Sequence, residues 1–232
     1  MKSNKIMQSK IYRFLDYVLR LILLNALSII PSFSFFIIYA SLNKTTDNPL
    51  IYLSLIPMIL WLFPSLVAIS SVIRQYETND TNTIFKDFFK SLKNTYFKSF
   101  LFTIIIIISG LLLYNSLMFF INYVGNSLIN IVGLILSISC IVVFLLIIIN
   151  VILVMSYFKG LRLVEIVKLS CIMAFKDLLS NILALSVIIV FIFLDISFYA
   201  LMAFGGISVP IYLVIKLTFK KYITIYRKVE EK

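Results

Sequence analysis

Long apolar runs separated by short polar gaps fill this chain from end to end. Runs of 17 to 30 residues with almost no charge match the roughly 20 residues a helix needs to cross a bilayer. They predict an all-α, polytopic membrane bundle of six transmembrane helices, over about 15–42, 50–73, 100–123, 128–157, 182–202 and 204–220. The final apolar stretch, 182–219, is too long for one span. Gly205-Gly206 is its turn, with Pro210 soon after in the early part of the last helix. The first run is long for a cleaved leader and is read as a span, kinked at Pro31. The second contains Pro57, Trp61 and Pro64. Prolines free backbone carbonyls that lipid cannot satisfy, so this helix belongs inside the bundle, lining a cavity or packing.

The polar gaps are of two kinds. Those at 43–49 and around Gly125-Asn126 are short. Those at 74–99 and 159–181 are longer and charged. In the first charged gap, Phe85, Phe88, Phe89, Leu92 and Tyr96 recur at helical spacing, and Lys86, Lys90 and Lys93 lie opposite. That pattern predicts an amphipathic helix suited to an anionic leaflet. The second charged gap carries F-K-D-L-L at 175–179, echoing F-K-D-F-F at 85–89, and predicts a second such helix. The tail from Lys220 is polar and expected to fray.

Composition agrees with the runs. Of 232 residues, 62% are hydrophobic, too many for 31 charged residues to keep covered in water. The net charge of +11 is distributed by side. With six spans and both termini cytoplasmic, 20 of the 21 Lys and Arg fall inside, and only Lys44 faces out. The same bias explains the charge without nucleic acid, for which no aromatic–basic readout motif is present. The expected location is the plasma membrane of a bacterial cell.

Candidate chemistry is sparse. There is no histidine, the commonest general base and metal ligand. Cys140 sits in an apolar run and Cys171 in a charged gap, without ligand spacing and at depths too different for a disulfide. No catalytic, cofactor or metal constellation emerges, and an enzyme is not expected. The intramembrane polar residues are Asp195, Asn25 and Asn150. An acid in such a run marks a pathway or relay, or else lies near an outer turn in contact with water. The amides suit interhelical hydrogen bonds. Phe85, Lys86, Phe89, Lys90, Lys93 and Lys98 form a candidate docking surface on the charged side.

Two stretches carry a family likeness. L-F-P-S-L-V-A-I-S-S-V-I-R-Q-Y at 62–76 is followed, after a short linker, by F-K-D-F-F-K-S-L-K-N-T-Y-F-K-S-F at 85–100. L-R-L-I-L-L-N-A-L at 19–27 precedes them. Together they resemble the YesL family of bacterial membrane proteins, DUF624. The matching positions are Asn25, Phe63, Pro64, Ser65, Ala68, Arg74, Phe85, Phe89, Asn94 and Lys98. The resemblance implies an accessory to carbohydrate uptake by ABC transporters, and it assigns no residue a chemical role. Expected partners are therefore the lipid bilayer and a membrane transporter complex. The alternative is a small-solute transporter or channel in its own right.

Overall fold

The structure, a computed structural model, describes residues 14–29, 50–78, 83–122, 128–158, 160–198, 201 and 204–230. Every regular element among them is helical. In chain order these are α1 over 14–29, α2 at Leu50–Glu77, α3 at Ile84–Asn122, α4 at Leu128–Tyr157, α5 at Leu163–Lys176, α6 at Leu178–Ser197 and α7 at Ser208–Glu230. Three of them, α3, α4 and α6, are long and apolar enough to cross a membrane. The remainder of the expected first span with Pro31, and the polar turn at 43–49, lie outside the described residues.

α2 lies at the centre. It shares its most extensive contact with α3 and also touches α4 and α7. Its residues from Phe63 to Ile73 are buried almost without interruption, Pro64 included. Trp61 is half-buried against this core, as expected of a tryptophan inside a bundle.

α3 departs from the sequence reading. The charged gap was expected to hold a helix separate from the third span. Instead the chain runs from Ile84 to Asn122 as one helix of 39 residues. No glycine or proline falls between 84 and 109, so nothing breaks it. One buried stripe passes through the expected boundary: Phe88, Ser91, Leu92, Thr95, Ser99, Phe102 and Thr103. Four of these are small hydroxyl residues spaced by four, which lets two backbones approach closely. Thr95 and Thr103 return their hydroxyls to Ser91 O and Ser99 O, both at 2.9 Å. The expected apolar face therefore splits. Phe88 and Leu92 turn inward, while Phe85, Phe89 and Tyr96 share the exposed surface with the lysines.

The levels of the helices also differ from the expected spans. Ile84, at the start of α3, shares a small cavity wall with Val72, Ile73 and Tyr76 of α2 and with Leu21 and Leu24 of α1. The expected ends of spans two and three, Ile73 and Phe100, are thus not side by side. Sixteen residues of helix, about 24 Å, separate Ile84 from Phe100.

Beyond Thr103, α3 pairs with α4 as an antiparallel hairpin. Ser116 Oγ and Ser137 Oγ lie 3.2 Å apart, and the Phe120 ring occupies the place where a side chain on Gly133 would stand. Most outward side chains here are exposed aliphatics, such as Ile105, Leu112, Ile131 and Leu136, the surface a lipid-facing hairpin presents.

α5 and α6 form the second charged segment. The backbone of Arg162 enters α5 extended and donates to Glu165 Oε2 at 2.7 Å. At Asp177 (φ −131°, ψ 63°) the helix breaks and restarts as α6. The amide of Asn181 donates to Met173 O and Ala174 O, at 2.8 and 2.9 Å, satisfying carbonyls that the break strands. The two F-K-D segments therefore sit in different local structures: one opens an unbroken helix, the other closes a broken one.

α7 continues to Glu230, past the Lys220 where the tail was expected to fray. Its extension is anchored by contacts the hydropathy pattern does not encode. Lys221 Nζ meets Asp177 Oδ2 at 3.1 Å and Met173 O at 3.0 Å, and Tyr222 is fully buried.

Candidate functional site

Four clusters contain the chemistry of the described residues. The first is a buried amide–phenol chain joining α4, α6 and α7. Asn150, a candidate from the sequence, accepts from the Tyr222 hydroxyl at 2.7 Å and donates to Asn181 Oδ1 at 3.3 Å. Its amide also returns to Leu146 O at 2.8 Å. Asn150, Asn181 and Tyr222 are all fully buried. Burial, and then the neighbouring Tyr157, push the Tyr222 hydroxyl above its ordinary range. The phenol thus keeps its proton and remains a donor to Asn150 at neutral pH. Each side chain is occupied by another, so the cluster ties three helices together.

The second cluster joins the start of α1 and the end of α2 to the first turns of α7. Tyr17 donates to Glu77 Oε1 at 3.1 Å, and its ring meets those of Tyr76 and Tyr212 at 5.0 and 4.9 Å. Arg20 pairs with Asp16 at 2.8 Å and lies over the Tyr76 ring at 4.5 Å. Tyr76 donates to Asp16 at 3.3 Å. Arg74, one of the family-like positions, places its guanidinium 5.4 Å from the Tyr157 ring, which stacks on Tyr222 at 5.0 Å. The first two clusters are therefore continuous.

The third cluster is the α6–α7 corner. Asn25 Oδ1 accepts the backbone N–H groups of Ile207 and Ser208, at 3.0 and 3.3 Å. A side chain of α1 thus caps the start of α7, as a local N-cap residue would. Asp195 packs its carboxylate against Gly206 so closely that a Cβ there would fall 2.8 Å from Oδ1. Asp195 Oδ1 and Ser208 Oγ are buried without a hydrogen-bond partner among the described residues. The structure places Asp195 in the corner, partly buried, one turn from the end of α6. Asn25→Ala should lower stability by about 1 kcal/mol, the scale of a lost N-cap. Thermal unfolding in nanodiscs should show the drop, and exchange protection should fall first at the amides of Ile207 and Ser208.

The fourth is the exposed face of α3. Phe85, Phe89, Tyr96 and Phe97 are exposed, Phe97 at 72%. Lys86, Lys90 and Lys93 are exposed beside them and form no ion pair among the described residues. Lys98 differs from the other docking candidates. It turns inward and donates to Leu161 O at 2.8 Å, pinning the α4–α5 turn to α3.

Of the sequence candidates, the structure unites Phe85, Lys86, Phe89, Lys90 and Lys93 on one surface, and gives Asn25 and Asn150 separate structural partners. The sequence reading missed Asn181, Tyr222 and Gly206. Asn181 had a signal, as an amide at the junction of a charged gap and an apolar run. Tyr222 had none, because its polar neighbours hide its burial. Cys140 is exposed and Cys171 half-buried, both free. Among the described residues, no group of three His, Cys, Asp or Glu could hold a metal ion.

Residues 21–117 match a family described as "Protein of unknown function, DUF624". The match runs from α1 through α2 into the second half of α3, so it covers the α1–α2–α3 packing and the aromatic–lysine face. No curated protein and no solved structure matches the chain.

Proposed function

We propose, for a chain whose residues 21–117 match the DUF624 family model, that it is a non-enzymatic accessory of a membrane transporter, acting by docking rather than by chemistry or transport. The proposed setting is the bacterial plasma membrane, with six spans, both termini cytoplasmic, and an ABC system for carbohydrate uptake as the partner. The observation that carries the reading is the exposed strip on α3. Phe85, Phe89 and Phe97 stand outward beside Lys86, Lys90 and Lys93, which form no ion pair among the described residues, on a helix packed against α2. Exposed aromatics clustered at a polar rim mark an interaction site. The buried amides support the same reading, since Asn25 and Asn150 bond to other helices of the chain.

The test combines purification and physiology. The full chain, crosslinked in its native membrane and purified, is expected to carry subunits of a sugar transporter. Its deletion is expected to slow uptake of that sugar. Absence of any transporter subunit, together with unchanged uptake, overturns the proposal.

A second reading, a small-solute transporter, is favoured by Asp195, in a candidate span, whose Oδ1 has no hydrogen-bond partner among the described residues. It predicts solute flux in reconstituted vesicles that Asp195→Asn abolishes. Vesicles without such flux remove it.

A further inference from the structure

We infer that the α6–α7 corner binds a small monovalent cation, held by the Asp195 carboxylate and the Ser208 hydroxyl. The inference stands apart from the docking reading, which uses neither residue. Its first support is a charge without a partner. Asp195 Oδ1 is sealed from solvent with no hydrogen-bond partner, and the carboxylate forms no ion pair, among the described residues. The nearest basic residues in sequence are Lys176 and Lys216, and Lys216 binds the Tyr212 hydroxyl. Lys221 pairs with Asp177 at the opposite end of α6, about 27 Å along the helix. A carboxylate so placed lacks the positive charge that burial of an ion demands. Its place in α6 sharpens the need. Asp195 lies in the last turn, where the aligned backbone carbonyls repel an acid. The corner does contain donors that could offset this, the N–H groups of Ile207 and Ser208. Both go to Asn25 Oδ1, at 3.0 and 3.3 Å. A neutral amide thus takes the start of α7, and the carboxylate is left over.

The second support is another orphaned oxygen at the same corner. Ser208 is fully buried, and its Oγ has no hydrogen-bond partner among the described residues. It opens α7 two residues after Gly206, which has no Cβ to hold the Asp195 carboxylate away. Asp195 Oδ1 and Ser208 Oγ do not hydrogen-bond each other. A proton on Asp195 would remove its charge and leave Ser208 Oγ as it is. A cation in the corner can take both, since carboxylate and hydroxyl are hard oxygen ligands. One carboxylate supplies one negative charge, which suits a monovalent ion, whereas calcium sites gather more oxygens and more charge. Asp195 is only partly buried, so an ion has a way in and can keep part of its water.

Thermal unfolding of the full chain in nanodiscs tests this. Sodium or potassium chloride replaces choline chloride at constant ionic strength, choline being a cation whose methylated nitrogen oxygen atoms cannot ligate. The unfolding temperature is expected to climb with the logarithm of the sodium or potassium concentration, as mass action requires of a ligand that binds the folded state. Asp195→Asn, nearly isosteric, should abolish the climb. Ser208→Ala should move its onset to about tenfold higher concentration. Should Asp195→Asn fail to fold, Ser208→Ala carries the same test, and radiolabelled sodium retained by the wild-type chain and displaced by unlabelled salt reads the site directly. Equal unfolding in choline and both alkali salts, a salt response that survives both substitutions, or stabilisation that follows pH alone each overturns the inference. Cation binding without solute flux in vesicles leaves the site standing and removes the transporter reading.

Discussion

Replacing Asn150 by leucine is expected to destabilise the bundle by about 2–4 kcal/mol. The side chain is fully buried and serves two others: it accepts from Tyr222 at 2.7 Å and donates to Asn181 at 3.3 Å. Leucine is of similar size, so packing changes little. The Tyr222 hydroxyl and Asn181 Oδ1, both fully buried, would each lose a partner, at about 1–2 kcal/mol apiece. Tyr222→Phe removes only the donor and should cost about 1 kcal/mol. The double variant should cost less than the sum, because the phenol is no longer present to be orphaned. Reversible unfolding in mixed micelles gives all three values. Strict additivity would mean that Asn150 and Tyr222 do not act as a unit.

A second local disruption is expected from Ser99→Leu. Ser99 is fully buried midway along the α3 stripe that packs into the bundle. The spacing of Ser91, Thr95, Ser99 and Thr103 gives α3 a smooth face, and α2 makes its most extensive contact with this helix. Three extra carbon atoms at its centre must displace one helix or force strained rotamers, at about 1–3 kcal/mol. Ser99→Ala should be close to neutral, since Ser99 Oγ has no hydrogen-bond partner to lose. A leucine variant as stable as the wild type would show that α3 is not closely packed into the bundle at this level.

The sequence revealed the elements whose signals are local. The fourth helix was expected at 128–157 and is found at Leu128–Tyr157, because an unbroken apolar run is its own boundary marker. Gly205-Gly206 is the corner it was read to be, and a side chain at Gly206 would require the Asp195 carboxylate to move. The likeness carried by residues 62–76 and 85–100 falls within the region matched to the family.

What hydropathy hid was continuity through charge. A lysine-rich segment and an apolar run look like loop and span, yet the stripe from Phe88 to Thr103 repeats across the junction and builds one helix. A reading by buried period, rather than by mean hydropathy, would have joined them. Tyr222 and Asn181 were illegible for another reason. Their burial depends on which helices meet, and 41 residues separate two members of one hydrogen-bonded chain. The same holds for Asn25, which caps a helix that begins more than 180 residues later.

The depth of α3 decides the account. Spin labels placed singly at 85, 89, 93, 104, 108 and 112 in the full chain, reconstituted into bilayers, report whether each site meets water or lipid. Labels at 85, 89 and 93 are expected to be quenched by a water-soluble nickel chelate. Those at 104, 108 and 112 should be quenched by oxygen dissolved in the acyl chains. Oxygen-dominated quenching at 85 and 89 would instead lay this face on the membrane, and would contradict its use as a docking surface for a protein.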